Sequence, residues 1–86
     1  MSDASLREAI IAALRTVAPE VEPASLRGDL PLREQVDLDS MDFLNFLVEL
    51  HRRLGVDIPE ADYAQVQTLD ACSRYVSARL QGTSPK

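Results

Sequence analysis

Cysteine, histidine and aromatic residues are scarce in this sequence, and the scarcity removes several classes of function. The only cysteine, Cys72, has no second thiol for an internal disulfide. With one histidine, His51, the chain cannot build a multi-cysteine or histidine-clustered metal site either. Long hydrophobic runs are also missing. The longest uninterrupted apolar stretch is Ala9–Leu14, far below the roughly 18 to 20 residues that cross a bilayer. The N-terminal "MSDASLRE" is polar and lacks the basic start and apolar stretch of a secretion signal. The expectation is a soluble cytoplasmic protein without membrane insertion. At 86 residues and 45% hydrophobic, the chain has material for one small domain that buries only a modest share of its surface.

What is present in excess is negative charge, and it is localised. From Asp29 to Asp62 there are nine acids against three bases, a net of −6, whereas the rest of the chain carries five acids and six bases, a net of +1. The excess argues against nucleic acid and for a basic protein partner.

Along the chain, "SLREAIIAALRTVAPE" opens with Ser5 and Glu8 at capping-box spacing, and Leu6, Ile10, Ala13, Leu14 and Val17 recur at helical spacing up to Pro19. From there to Asp39, Pro19, Pro23, Gly28 and Pro31 forbid a continuous helix. Val21, Leu26, Leu30, Leu32, Val36 and Leu38 mark this stretch as a packed connector with a short helical turn near Ala24 to Arg27. A second helix is predicted over 40–54, capped by Asp39 or Ser40, with Arg52 and Arg53 at its negative end and Gly55 as the stop. Pro59 starts a short helical stretch, and Thr68 and Asp70 open a last helix with Leu69, Cys72, Val76 and Leu80 on one face. The sum is an all-α fold, a small four-helix bundle of three main helices and one short helix. Residues 1–81 form the domain and 82–86 a polar tail.

On the second helix, Phe43, Phe46, Leu47, Leu50 and Leu54 fall within about 100° of each other and form the core face. Met41, Asn45, Val48, Glu49 and Arg52 point the other way with Leu44 beside them, so Met41, Leu44 and Val48 should form an exposed apolar strip near Ser40. Ser40 itself has three readings. It can be a helix cap, a role serine fills well. It can be the nucleophile of a hydrolase, but His51 lies eleven residues along the same helix, about 16 Å up the axis, and there is no nucleophile-elbow motif. Or its hydroxyl can be an attachment point for a phosphodiester, favoured by the unpaired N–H groups and positive dipole end of the helix.

The stretch "DSMDFLNFLVELHRRLGVDIPEAD" resembles the acyl carrier proteins and related phosphopantetheine-binding carriers. Asp39-Ser40-Met41 is similar to the family's Asp-Ser-Leu signature, and "LREQVDLDS" upstream and "TLDACSRYV" downstream extend the likeness over nearly all of residues 5 to 81. The resemblance implies a non-enzymatic, free-standing and monomeric carrier. Its Ser40 receives 4′-phosphopantetheine from coenzyme A through a separate Mg²⁺-dependent phosphopantetheinyl transferase, with Asp39 beside the attachment point. The arm's thiol then bears acyl or aminoacyl groups as thioesters, loaded by a ligase and used by synthase or transferase partners. By the same resemblance Met41, Asp42, Leu44, Asn45 and Val48 contact those partners, and Leu47, Leu50, Ala64, Leu69 and Cys72 line a shelter for a short acyl chain. The chain departs from many fatty-acid carriers in having Asp37 and Leu38 before the signature, and Asn45, His51, Arg52 and Arg53 on a helix that is often acidic. That departure implies a specialised biosynthetic pathway, in secondary metabolism or a tailored lipid route. The alternative is a small helical adaptor that binds a protein partner and uses Ser40 only as a cap.

Overall fold

A computed structural model describes residues 3–80; the two N-terminal residues and the expected tail at 82–86 lie outside the described residues. The elements run α1 (Asp3–Val17), a 3-10 turn η1 (Pro23–Ser25), α2 (Leu32–Gln35), α3 (Ser40–Leu54), a second 3-10 helix η2 (Glu60–Val66) and α4 (Leu69–Leu80). No strand forms among the described residues, and the one β-bridge, Pro31 with Thr68, is isolated. Among the described residues no helix is long and apolar enough to cross a membrane.

The first helix begins earlier than the Ser5–Glu8 spacing implied. It is already helical at Asp3, whose carboxylate suits the positive end of the helix, so Ser5 and Glu8 lie within the helix and do not mark its start. It ends where expected: Ala18 donates the last helical bond to Leu14 at 2.9 Å, and Pro19 has no N–H to continue. Its Leu6, Ile10, Ala13 and Leu14 are buried, and this face lies along α3 and against α4.

The connector is packed, as its apolar residues imply. Val21, Leu32, Val36 and Leu38 are buried, Leu26 is half-buried and Leu30 is exposed. Its short turn falls at Pro23–Ser25, and a further helical turn, α2, follows Pro31. Two cross-links tie the connector to the start of α4: Leu32 N–H to the Gln67 carbonyl at 2.8 Å, and Asp70 N–H to the Gly28 carbonyl at 3.1 Å. Inside the connector, the Gln35 amide accepts from Arg27 N–H at 2.7 Å and donates to the Arg27 and Leu30 carbonyls at 2.7 and 3.0 Å, closing the loop upon itself.

α3 takes the predicted bounds and facing. Phe43, Phe46, Leu47 and Leu50 are buried and Leu54 is partly buried against them. Gly55 stops the helix in the left-handed region at φ 72°, where its N–H bonds the His51 carbonyl at 2.8 Å and a side chain would be strained. On α4, Thr68 caps Ala71 N–H at 3.0 Å, and Leu69, Cys72 and Val76 point inward. Leu80 departs from its expected face. At the last turn it extends past the bundle and is 40% exposed. The described core contains no buried polar or charged residue, so its cohesion is apolar packing alone.

This facing has a measurable consequence. Leu50 is fully buried and Val48 is 62% exposed on the same helix. Leu50→Ala is expected to cost about 2 to 5 kcal/mol in urea unfolding, and Val48→Ala less than about 0.5 kcal/mol. Equal losses for the two would mean that α3 presents a different face to the core.

Candidate functional site

The chain approaches α3 in extended form, and alternation decides what it displays. Val36 and Leu38 turn inward and are buried, leaving Asp37 and Asp39 exposed. The Leu38 side chain anchors the segment in the core, and the Arg33 guanidinium donates to its carbonyl at 3.4 Å. Asp39 then turns the chain into the helix: its carboxylate accepts from Asp42 N–H at 2.8 Å, while the Asp42 carboxylate accepts from Asp39 N–H at 3.5 Å. This is a reciprocal capping box with an aspartate at each end.

Ser40 is therefore the first helical residue and not the cap. It is exposed, and its hydroxyl takes no part in the box. Of the first N–H groups that a helix leaves without an intrahelical partner, those of Asp39 and Asp42 are used by the box, which leaves those of Ser40 and Met41 beside the hydroxyl. A phosphodiester on Ser40 Oγ fits this arrangement, because both N–H groups and the positive helix end favour the added negative charge. His51, eleven residues along the same helix, is exposed beyond Ser40's reach and does not act as its base.

Outward from Ser40 runs the apolar strip expected from helical spacing. Met41 is 63% exposed, Leu44 39% and Val48 62%. Asn45 is exposed beside them. Glu49 differs from its expected outward display. Its carboxylate accepts from Arg52 at 2.8 and 3.0 Å and from Arg53 at 3.2 Å, and its side chain is only 15% exposed. The bonds from Arg52 hold the Glu49 carboxyl below the usual carboxylate range, against a smaller opposing effect of burial. Arg53 also donates to the Thr16 hydroxyl at 3.3 Å, linking this end of α3 to α1.

Between α3 and the segment that follows it lies a groove of about 290 Å³, lined by Leu44, Leu47, Val48 and His51 on one side and Asp57, Ile58 and Tyr63 on the other. Of the residues proposed to shelter an acyl chain, only Leu47 reaches this groove. Leu50, Leu69 and Cys72 are fully buried in the core. Ala64 is exposed, which corrects its placement: in a 3-10 helix residues three apart share a face, so turning Tyr63 and Val66 inward turns Ala64 out. Burial pushes the Cys72 thiol up to about 12, so it stays protonated and inert. His51, Asp57, Ile58 and Tyr63 are the groove residues that sequence reasoning missed. The alternation of Val56 and Ile58 in the exit segment and the three-residue step from Tyr63 to Val66 were the available signals.

Similarity to known proteins points the same way as this geometry. The family model described as the phosphopantetheine attachment site matches residues 6–76. The meromycolate extension acyl carrier protein of Mycolicibacterium smegmatis is 28% identical over 86 residues, covering 96% of this chain and 86% of that protein. An acyl carrier protein of Rhodococcus erythropolis is 29% identical over 76 residues, 85% of this chain and 84% of its own. One of Lactobacillus johnsonii is 30% identical over 58 residues, 67% of this chain and 72% of its own. An exposed serine at the first turn of a capped helix, an apolar strip running away from it and a family match over most of the length have one common explanation: the chain belongs to the phosphopantetheine-attachment family of carrier proteins.

Proposed function

We propose that Ser40 is the residue that receives 4′-phosphopantetheine, and that the chain is an acyl carrier presenting its cargo to partner enzymes along the outer face of α3. The observation that carries this reading is the division of labour at the helix start. Asp39 and Asp42 satisfy the cap between them, so a serine is not needed there for stability, and its hydroxyl stays exposed beside two unused N–H groups. The adaptor reading treated Ser40 as a cap, and that role belongs to Asp39.

In the proposed attachment, Ser40 Oγ forms a bond to the phosphorus that bears the pantetheine arm of coenzyme A and loses its proton to a base on the transferase. The pyrophosphate linkage breaks and adenosine bisphosphate leaves. The arm supplies a thiol that carries acyl or aminoacyl groups as thioesters. The chain's own residues do the rest: Ser40 and Met41 N–H groups stabilise the phosphodiester, Asp39 and Asp42 face a basic transferase surface, and Met41, Leu44 and Val48 give partner enzymes an apolar footing. The groove of about 290 Å³ along Leu47 and Val48 is the place on this face where the arm or a short acyl chain would lie. The relatives named for meromycolate extension support acyl groups as the cargo class.

The partners are specialised. Close to Ser40 the surface is acidic, with Asp37, Asp39 and Asp42. Twelve residues on, about 18 Å up the axis, it turns basic, because Glu49 is drawn in and shared by Arg52 and Arg53 while Arg52 remains 66% exposed. A partner groove that is basic throughout meets repulsion at that end, and like-charge contacts discriminate strongly between partners. A dedicated loading ligase and synthase with a basic patch at the serine end and an acidic one beyond it fit this face.

Two measurements follow. Intact mass after incubation with coenzyme A, Mg²⁺ and a broad-specificity phosphopantetheinyl transferase should show one phosphopantetheine per chain, and none on Ser40→Ala with its helical circular dichroism preserved. Modification of Ser40→Ala would place the attachment elsewhere. In the second, the modified chain loaded with a malonyl group should be elongated slowly by a standard bacterial fatty-acid synthase compared with that system's own carrier, and Asn45→Glu with Arg52→Glu should restore the rate. Elongation of the unaltered chain at the carrier's own rate would remove the case for dedicated partners.

A further inference from the structure

Of the groove wall that faces α3, Tyr63 stands on η2, and η2 is fastened on its other side. Its backbone packs against α4, while towards α3 it offers a side chain: the Tyr63 ring meets Phe43 edge-on, with centroids 6.1 Å apart and planes at 81°. It is also a seven-residue 3-10 helix. Such runs seldom exceed three or four residues because their hydrogen bonds are poorly aligned, so η2 holds its shape through what it is tied to.

The tie is Asp62. Its carboxylate accepts from the Tyr75 hydroxyl at 2.6 Å and from the Arg79 guanidinium at 3.1 Å. Arg79 also donates to the Tyr75 oxygen at 2.6 Å and lies over the Tyr75 ring at 4.9 Å from its centroid. The Asp62 side chain is 23% exposed, so this three-way contact is partly shielded from water, where charge-assisted bonds hold better than on an open surface. Burial, and then the bond to Asp62, push the Tyr75 hydroxyl up to about 12, so it remains a donor at physiological pH. Asp62 and Tyr63 are neighbours in the chain, so fixing one onto α4 fixes the direction of the other into the groove.

We infer that Asp62, through Tyr75 and Arg79, is the positioning residue of the Tyr63 side of the groove: it locks η2 onto α4 and so sets how far Tyr63 stands from α3. This inference rests on the carrier reading for its purpose, since a groove of fixed width matters only if an arm or its cargo enters it. The contact itself can be tested on the unmodified chain. Failure here leaves the modification of Ser40 standing, and failure at Ser40 leaves the contact standing.

The experiment is amide hydrogen exchange and the ring-proton spectrum of Tyr63 by NMR, on the unaltered chain, Tyr75→Phe, Asp62→Asn and a control, Ile10→Val, which trims the fully buried core on α1 and removes no atom of the contact. In Tyr75→Phe and Asp62→Asn the η2 amides should exchange about tenfold faster while the α1 and α3 amides keep their rates. The Tyr63 ring signals should move towards exposed-tyrosine values as the edge-on Phe43 contact loosens. Ile10→Val should speed the most protected amides of all helices together and leave the Tyr63 signals in place. Unmoved Tyr63 signals in both contact variants, or exchange rising equally in α3 and η2, would overturn the assignment.

Discussion

The carboxylate of Asp39 taking up the Asp42 N–H sets everything that follows in α3. Because the bond is made at 2.8 Å and returned by Asp42, the helix starts at Ser40 and not one residue to either side. Each residue beyond that start turns the chain by about 100°. Phe43, Phe46, Leu47 and Leu50 so face the core, and the strip of Met41, Leu44 and Val48 runs up from the serine. Leu38 reinforces the start from the other side: it is buried one residue before the cap, so the chain enters the helix from a fixed point. The cap thus serves two purposes that are otherwise hard to reconcile, a stable helix end and a serine with nothing to do in the folded state.

α3 is also where stability and the proposed recognition meet. Its inner face supplies the largest buried side chains of the core, and its outer face carries the polarity. With no charge buried in the described core, the ion pairs other than the partly shielded Asp62–Arg79 contact work at or near the surface, where each contributes little to stability and mainly shapes the field around the chain. The Glu49–Arg52–Arg53 group is the clearest case. Its bonds neutralise the one carboxylate on the far half of the outer face and leave that half basic.

Much of this was legible in the sequence. The bounds of α3, its facing, its glycine stop and the exposed strip followed from helical periodicity and from residues with narrow conformational roles. Ser40, the proposed attachment point, stood out because a small hydroxyl sat between two aspartates at a helix start. The misreadings have two physical origins: contacts distant in sequence, and local geometry that an α-helical angle count does not capture. The start of α1 depends on more than the Ser5–Glu8 spacing. α2 is a four-residue turn held by Leu32 in the core and by its N–H on the Gln67 carbonyl. Ala64 was misplaced because a 3-10 period of three, not 3.6, decides which residues of η2 turn inward. Glu49 looks outward by angle alone, but two arginines fold over it. The groove joins α3 to Ile58 and Tyr63 across a turn of the chain, and no local pattern encodes that meeting.

The central claim is that cap and attachment point are two adjacent residues with separate duties, and it can be tested by comparing the urea stability of Asp39→Ala and Ser40→Ala under the same conditions. If Asp39 is the cap, its replacement lowers stability by about 0.5 to 2 kcal/mol. Ser40→Ala, at the first helical position, then stays within about 0.5 kcal/mol of the unaltered chain. A loss at Ser40 as large as at Asp39, or a loss at Ser40 alone, would mean that the serine holds the helix end, and the case for a hydroxyl held in reserve would fail.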